Sequence, residues 1–465
     1  MNNFKETEQQ TIIAVVAIAI ITFMGILSET ALNIAYSRLM DQFNISAATI
    51  QWLTTGYLLT LSAFIPLSPI LVKCYRTKKL FRTAVIIFLT GTLLCGFALN
   101  FGMLLLGRII QAVGTSITLP LMVNIILEKI PVSRRGKIMG IVGLVTCFAP
   151  ALGPTFGGVV IEWINWHWIF ILMLPVLMLA FGLGSKYIMD IHTTDQIVID
   201  YPSIILSTIG LVGIVYGVSI SADFGWLDPK VLGCLAIGLL SLGGFIYKQL
   251  QLPNPLIEVR VFTYPMFTLG MVIVMISMMT VLAAGFILPL YLQKSLGCSS
   301  LVTALAMLPG AAINGVMSPV TGKFLDKHGP KLLLSVGFLL VSLMVYMFAF
   351  FNCNFYDVII IYAVFMFGAS MLAIPAQSNG LNQLPKEYNA DGSAIVNTLQ
   401  QVSGAVGTAL ASSIFTISYT NFQQSFSSVT LEVMHQAGSF GVHNTFVFFL
   451  FLSLVGFGLA LKARR

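Results

Sequence analysis

The chain has 465 residues, of which 57% are hydrophobic and only 9% are charged, and its net charge is +7. Soluble globular domains carry roughly a quarter charged residues, so this composition excludes an ordinary soluble protein and indicates an integral membrane protein. The basic residues do not cluster as they do on a nucleic-acid-binding domain, so we expect no nucleic-acid partner. The six cysteines lack any C-x-x-C or metal-ligand spacing, and we expect no metal site.

The first apolar run, at about residues 11–37, is longer than a signal-peptide core, and no small-residue cleavage site follows it. We therefore expect it to remain as a membrane helix. At about 20 apolar residues for each crossing, the chain contains fourteen such runs, and the last lies at about 440–461. The predicted fold is an all-α integral membrane protein with fourteen transmembrane helices.

The basic residues divide unevenly between the two sets of loops. With the N-terminus in the cytoplasm, the inner loops hold most of the 24 lysines and arginines. The exceptions are Arg38, Lys230 and Lys294 outside and Arg108 within the membrane. Positive charge favours the cytoplasmic side, so both termini are predicted in the cytoplasm and the number of spans is even. All five tryptophans fall at predicted outer helix ends, where an amphipathic ring prefers the headgroup level.

Helices one and four each place an ionisable side chain inside the bilayer. Glu29 precedes the outer end of helix one by about eight residues, and Arg108 lies about six residues inside the outer end of helix four. At a rise of about 1.5 Å per residue, both lie roughly 9 to 12 Å below the outer surface. Intramembrane charges are costly and mark function, so we interpret Glu29 as the proton-carrying carboxylate and Arg108 as its coupling partner. Arg108 has alternatives, which are to extend to the headgroups or to tie helices together.

Uncharged polar residues extend this site along the predicted helices. Asn33 is one turn from Glu29, Gln111 is one turn from Arg108, and Tyr57 on helix two is a candidate for stacking on a ligand. The candidate cavity residues of the second half are Asn314, Asn397, Gln400 and Gln401. Interhelical hydrogen bonding is the alternative role for these amides.

Helix five carries a run of prolines and glycines, namely Pro150, Gly153, Pro154, Gly157 and Gly158. Such residues weaken a soluble helix. In a membrane, neighbouring helices satisfy the freed carbonyls, and small residues let two backbones approach closely. The run predicts a bent helix pressed against a partner, and an ordinary kinked packing helix is the alternative.

Two predicted inner loops resemble each other. The loop between helices ten and eleven contains the motif residues Gly322, Asp326, Lys327, Gly329 and Lys331. The stretch 69–78, between helices two and three, has a similar pattern. Parallel repeats of this kind relate the two halves of many transporters. We therefore expect a six-helix bundle at 1–200, an inserted two-helix hairpin with its linker at 201–260, and a second six-helix bundle at 261–465.

Together these motifs resemble the major facilitator superfamily, and within it the lincomycin-efflux-like branch of the fourteen-helix drug:proton antiporters. The resemblance is carried by Gly153-Pro154-x-x-Gly157-Gly158, by Gly107-Arg108-x-x-Gln111 in helix four, and by Glu29-Thr30-Ala31 in helix one. It implies two bundles that rock around a midplane cavity, and it identifies the helix-five run as an antiporter motif associated with efflux. The loop motif would then act as a conformational latch. In the first copy, Lys73 stands where the family usually has aspartate.

The sequence favours a transporter over an enzyme. It contains no G-x-x-x-x-G-K-[ST], H-E-x-x-H or G-x-S-x-G motif, so an ion gradient must supply the energy and no cofactor is expected. We predict proton-coupled efflux of amphipathic drugs or other small toxic compounds across a bacterial cytoplasmic membrane. The expected partners are the substrate, protons and lipid, and the protein is expected to be a monomer. The alternatives are a proton-coupled importer of the same fold and a membrane sensor or lipid-handling protein without transport.

Overall fold

The computed structural model describes residues 2–67, 71–72, 74–129, 148–150, 152–190, 200–252, 255–385, 388–426 and 431–463, and these are almost entirely helical. In the first half, α1 is Asn2–Ala31 continued through a 3-10 turn at Leu32–Ala35 into Tyr36–Phe43, followed by α2 (Trp52–Phe64), α3 (Thr77–Gly96), α4 (Phe101–Lys129), α5 (152–163) and α6 (His167–Ile171 with Met173–Tyr187). Next come α7 (Tyr201–Phe224) and α8 (Pro229–Gln251). The remaining helices are α9 (Pro265–Leu290, continued as a π turn at Tyr291–Ser295), α10 (Ser300–His328), α11 (Pro330–Phe350), α12 (Phe355–Ser370 with Ala373–Asn382), α13 (Asn389–Gln424) and α14 (Leu431–Ala460).

Twelve of these helices are long and apolar enough to cross a membrane, counted over the described ranges. The other two, α2 and α5, are shorter there and border stretches outside the described residues. Residues 136–147, which the sequence assigns to the start of helix five, fall in such a stretch. The all-helical architecture is therefore confirmed, whereas the count of fourteen spans stays a prediction.

Where the connection is described, as between α7 and α8 and between α10 and α11, a short turn joins the two helices, so they run in opposite directions. We call the face at which α1 begins the N-terminal face and the other the opposite face. The five tryptophans all lie at helix ends on the opposite face, at Trp52, Trp163, Trp166, Trp168 and Trp226. Local signals begin the helices, because Ser299 accepts a hydrogen bond from the Val302 amide (3.3 Å) and Asn354 forms a capping box with Asp357.

Small residues set the closest helix contacts. A Cβ added at Gly91 on α3 would lie 2.7 Å from the Gly107 carbonyl on α4, and one at Gly213 on α7 would lie 2.8 Å from Gly238 on α8. Neither position tolerates a larger residue without moving the backbone. Because lipid competes equally for apolar side chains, this close backbone approach is what holds such helices together.

Helices α1–α6 pack on one another as a first half, and α9–α14 pack as a second. The halves meet along α2 and α13, where Thr55 and Thr408 share a hydrogen bond of 3.1 Å. Helix α7 lies against both of these helices. Gln51, just before α2, donates to Ser219 of α7 (3.2 Å), and Ser221 of α7 donates to Ser413 of α13 (3.4 Å). Helix α8 packs on α7 and exposes most of its surface.

Candidate functional site

Arg108 is the centre of a buried polar cluster in the first half. Helix α1 packs closely on α4, since a Cβ added at Gly25 would lie 2.9 Å from the Thr115 hydroxyl. This packing places the next turn of α1 beside Arg108, which is 0% exposed. Its Nη1 donates to Ser28 Oγ (3.1 Å) and to Gln111 Oε1 (3.0 Å). The guanidinium is therefore tied to α1 and to the next turn of its own helix, as the predicted shared depth requires.

Tyr57 covers the guanidinium and closes the cluster toward α2. Its ring centroid lies 4.1 Å from Cζ of Arg108, within cation–π range. The phenol donates to Thr115 Oγ1 (3.0 Å) and lies 3.3 Å from the Gly25 carbonyl. Tyr57 thus contacts protein in this structure, and the sequence-based role of stacking on a ligand stays a prediction.

Gln111 links the cluster to α3. Its Nε2 donates to Thr92 Oγ1 (2.9 Å), and Thr92 in turn donates to the Phe88 carbonyl (2.8 Å). Thr92 and Gln111 are both 0% exposed. Sequence reasoning placed Gln111 on the cavity face but missed Thr92 and Thr115 as its partners. Ser28, which accepts from Arg108, was likewise missed. The sequence could have indicated these small polar residues, because they lie at about the same depth in the predicted membrane as Arg108.

One edge of the Arg108 guanidinium has no hydrogen-bond partner among the described residues. Its Nε and Nη2 are buried there and make no hydrogen bond. These two nitrogens form the side-on edge that grips a carboxylate with two parallel bonds. A buried, unpaired pair of donors is unfavourable, so this edge favours an acceptor.

Glu29 is an acidic candidate for that edge. It is half-buried on α1, and the guanidinium is close enough to act on it electrostatically. The two are not an ion pair here, and within the described part of the chain the Glu29 carboxylate has no hydrogen-bond partner. Arg108 bonds to Ser28, the residue before Glu29, instead. The structure therefore brings the two predicted coupling residues together but leaves them unpaired.

Asn33 lies one turn further along α1 and belongs to a neighbouring polar group. Its Oδ1 accepts from Thr54 Oγ1 (3.2 Å) on α2, and Thr54 also shares a hydrogen bond with Tyr36. Asn33 is half-buried. It ties α1 to α2 at the level of the 3-10 turn.

The amides of the second half form separate groups. Gln400 on α13 donates to Gln377 on α12 (3.2 Å), and Asn314 on α10 donates to the Met366 carbonyl on α12 (3.2 Å). Asn397 and Gln401 are half-buried on α13. The hydrogen bonds of Gln400 and Asn314 join different helices, which is the alternative role that the sequence suggested for these amides. A cavity role for the four amides stays a prediction.

The helix-five motif makes the close contacts that its small residues permit. A Cβ added at Gly153 would lie 3.0 Å from the backbone nitrogen of Ala31, and a Cβ added at Gly157 would lie 3.0 Å from the carbonyl carbon of Ala31. At Gly158 it would lie 2.9 Å from the Ser300 carbonyl of α10. Helix α5 is thus pressed on α1 in its own half and on α10 in the other half. Pro150 and Pro154 lie half-buried beside these contacts.

The loop motif is only partly described. Gly329 ends α10 with a φ of +78°, a left-handed value that favours glycine, and Lys331 is exposed at the start of α11. A Cβ at Gly322 would meet nothing within 4 Å. The side chains of Asp326 and Lys327 lie outside the described residues, as does Lys73 in the first copy. The latch role stays a prediction.

Polar contacts join the halves on the opposite face. Gln293, in the π turn of α9, donates to the Ile34 carbonyl in the 3-10 turn of α1 (3.0 Å). The next residue, Lys294, pairs with Asp41 at 2.5 Å. Both ends of this contact are irregular helical turns, which frequently occur at functional hinges. Among the described residues, no group of three or more His, Cys, Asp or Glu side chains is arranged to hold a metal ion.

Comparison with known proteins agrees with this architecture. Residues 18–408 match the family model of the Major Facilitator Superfamily. The chain is 43% identical to the lincomycin resistance protein LmrB of Bacillus subtilis over 458 residues, covering 97% of this chain and 96% of that protein. It is 42% identical to LmrB of Listeria monocytogenes over 445 residues, covering 95% and 94%. The fold matches the crystal structure of a bacterial homologue of the human lysosomal transporter Spinster, with a TM-score of 0.68, 15% identity and coverage of 98% and 97%.

Proposed function

Because the chain belongs to the Major Facilitator Superfamily, we propose that it exports amphipathic antimicrobial molecules from a bacterial cell in exchange for protons. Family membership makes it a multi-pass membrane transporter of small molecules rather than an enzyme. Family membership alone does not give the direction of transport, the substrates or the coupling ion. We propose efflux, drugs and protons for these three.

The observation that carries efflux is the identity of 42–43% to two lincomycin resistance proteins over nearly the whole chain. A membrane transporter of small molecules can confer resistance to a drug by moving the drug out of the cell. The glycine contacts of α5 with α1 and α10 support the same direction, because they involve the motif that the resemblance links to efflux. Lincomycin is therefore the first probe to use, and the substrate range includes other amphipathic, cationic or zwitterionic compounds.

Proton coupling is supported by the unpaired edge of Arg108 beside Glu29. When Glu29 is a carboxylate, it can move onto Nε and Nη2 of Arg108 and form a bidentate pair. When Glu29 is protonated, the attraction is lost, and the neutral acid suits an apolar cavity. In an export cycle, the proton binds from outside and is released to the cytoplasm as substrate enters. The substrate and the proton then occupy the site in alternation.

The topology proposed for this cycle has fourteen membrane helices. The two bundles at 1–200 and 261–465 rock around a midplane cavity lined by the candidate residues of both halves, with α7 and α8 as an inserted hairpin within 201–260. The N-terminal face is cytoplasmic, following the distribution of basic residues, so both termini lie in the cytoplasm of a bacterium. The unit is a monomer driven by the proton gradient without a cofactor, and Gly322 to Lys331 act as the latch on the cytoplasmic side.

The experiment that tests this proposal uses everted membrane vesicles with an acidified interior. Adding lincomycin should release protons from vesicles that contain the wild-type protein, and Glu29→Gln should abolish this release. Glu432→Gln is the matched control, because Glu432 is exposed at the start of α14. A drug panel on a pump-deficient host should follow the same pattern.

The two alternatives predict other results. An importer would move drug and proton in the same direction, so substrate addition would not discharge the vesicles. A sensor or lipid-handling protein would give neither resistance nor substrate-dependent proton movement. Transport by Glu29→Gln at the wild-type rate and with the wild-type pH dependence would contradict the role given to the carboxylate.

A further inference from the structure

Gln111 holds Arg108 only if its side-chain amide has one of its two orientations. Its Oε1 accepts from Nη1 of Arg108 (3.0 Å), and its Nε2 faces α3. A rotation by half a turn would bring Nε2 against Nη1, and two donors would face each other in a fully buried place. The position of the guanidinium therefore depends on what sets the orientation of this amide.

Thr92 supplies that control. A threonine hydroxyl has one proton to donate and lone pairs to accept. The proton of Thr92 goes to the Phe88 carbonyl (2.8 Å), so its oxygen faces Gln111 as an acceptor. Only Nε2 of Gln111 satisfies an acceptor at that place, and it lies 2.9 Å away. Gly91, next to Thr92, permits this bond, because any side chain there would strike Gly107 and Gln111.

We propose that Thr92 is a positioning residue for coupling: by accepting from Gln111 it fixes the amide that holds Arg108, and so keeps the carboxylate-gripping edge of Arg108 free for Glu29. The hydrogen bonds of Thr92 go to Phe88 and Gln111 rather than to Glu29 or Arg108, so it acts through Gln111. The proposal rests on the proposed function for its consequence in transport, whereas the hydrogen-bond chain itself is independent of that function.

The chain offers a closely matched set of variants on α3. Thr92→Val removes the acceptor and keeps the shape, and Thr92→Ser restores the acceptor. Thr90→Val is the control, because Thr90 also donates to the carbonyl four residues earlier (Ile86, 2.9 Å) but is exposed and holds no amide. In lincomycin-driven proton release from everted vesicles, we expect Thr92→Val to lower the maximum rate roughly fivefold, the factor that corresponds to about one neutral hydrogen bond. It should also shift the pH profile, while Thr92→Ser and Thr90→Val behave as wild type.

A second measurement reads the guanidinium directly. In protein labelled with ¹⁵N-arginine and held in lipid nanodiscs, the side-chain signal of Arg108 is assigned as the one lost in Arg108→Lys. Thr92→Val should shift this signal, and Thr92→Ser and Thr90→Val should leave it in place. An unchanged Arg108 signal in Thr92→Val overturns the inference, whatever the protein transports. Wild-type vesicles that release no protons, with a shifted signal in Thr92→Val, would instead contradict the proposed function and leave the positioning contact supported.

Discussion

Replacing Arg108 by lysine keeps the buried positive charge and removes the planar fork. In the wild type, Nη1 makes two charge-assisted hydrogen bonds, to Ser28 and Gln111, and the guanidinium stacks on Tyr57 at 4.1 Å. A lysine ammonium is a point charge on a flexible stem, so we expect one of the two bonds and much of the stacking to be lost. The bond is worth roughly 1.5 kcal/mol and the stacking roughly 0.5 kcal/mol at the lower ends of their ranges.

The total of about 2 kcal/mol corresponds to roughly a 30-fold loss of rate, if the interactions are made in the transport-competent state. The assay is the initial rate of lincomycin-driven proton release from everted vesicles that contain equal amounts of folded protein. Arg82→Lys is the control, because Arg82 is exposed on α3 and makes one long contact with the Ser185 carbonyl (3.4 Å). The reasoning is refuted if Arg108→Lys transports within about threefold of the wild type, because a point charge alone would then suffice.

Two further predictions test the contacts between helices. Gly157→Ala should lower the yield and thermal stability of folded protein, because its Cβ would collide with the Ala31 backbone. Gly182→Ala is the control, because no described atom lies within 4 Å of a Cβ added there. Equal melting temperatures for the two variants would contradict the close packing of α5 on α1. Charge reversal at either member of the Lys294–Asp41 pair should slow transport by several-fold through repulsion across the halves, and the double reversal should restore it. Vesicle transport rates of the two single variants and the double variant measure this, and a double variant no better than the singles would show that pairing of these two charges does not contribute to transport.

The sequence predicts the class of fold and the neighbourhood of the site, because both depend on regular physical rules. Hydrophobic length gives the helices, and helical rise places Glu29 and Arg108 at one depth. In the structure the two helices pack on each other, and Arg108 is close enough to act electrostatically on Glu29. The small residues of α5 likewise predicted a close contact, and Gly153 and Gly157 make it with Ala31.

Hydrophobic length and helical rise do not predict which side chains inside the site form hydrogen bonds with each other. Depth along a helix does not give the side-chain torsions that bring Nη1 of Arg108 to Ser28 and Gln111 rather than to Glu29. Thr92 was missed because its role depends on the direction of one hydroxyl proton, which no spacing rule encodes. Polarity predicted Asn314 as a cavity residue, and that role stays a prediction, but polarity alone could not give its bond to the Met366 carbonyl of α12.

The position of α7 has a consequence for how the two halves move. It is bonded to Gln51 on one side and Ser413 on the other, where α2 and α13 meet. These two hydrogen bonds restrict separation of the halves beside α7. We therefore expect the halves to tilt relative to each other about an axis close to α7. The contact between Gly158 of α5 and α10 does not involve α7. Separation of the two halves is therefore expected at that contact rather than beside α7.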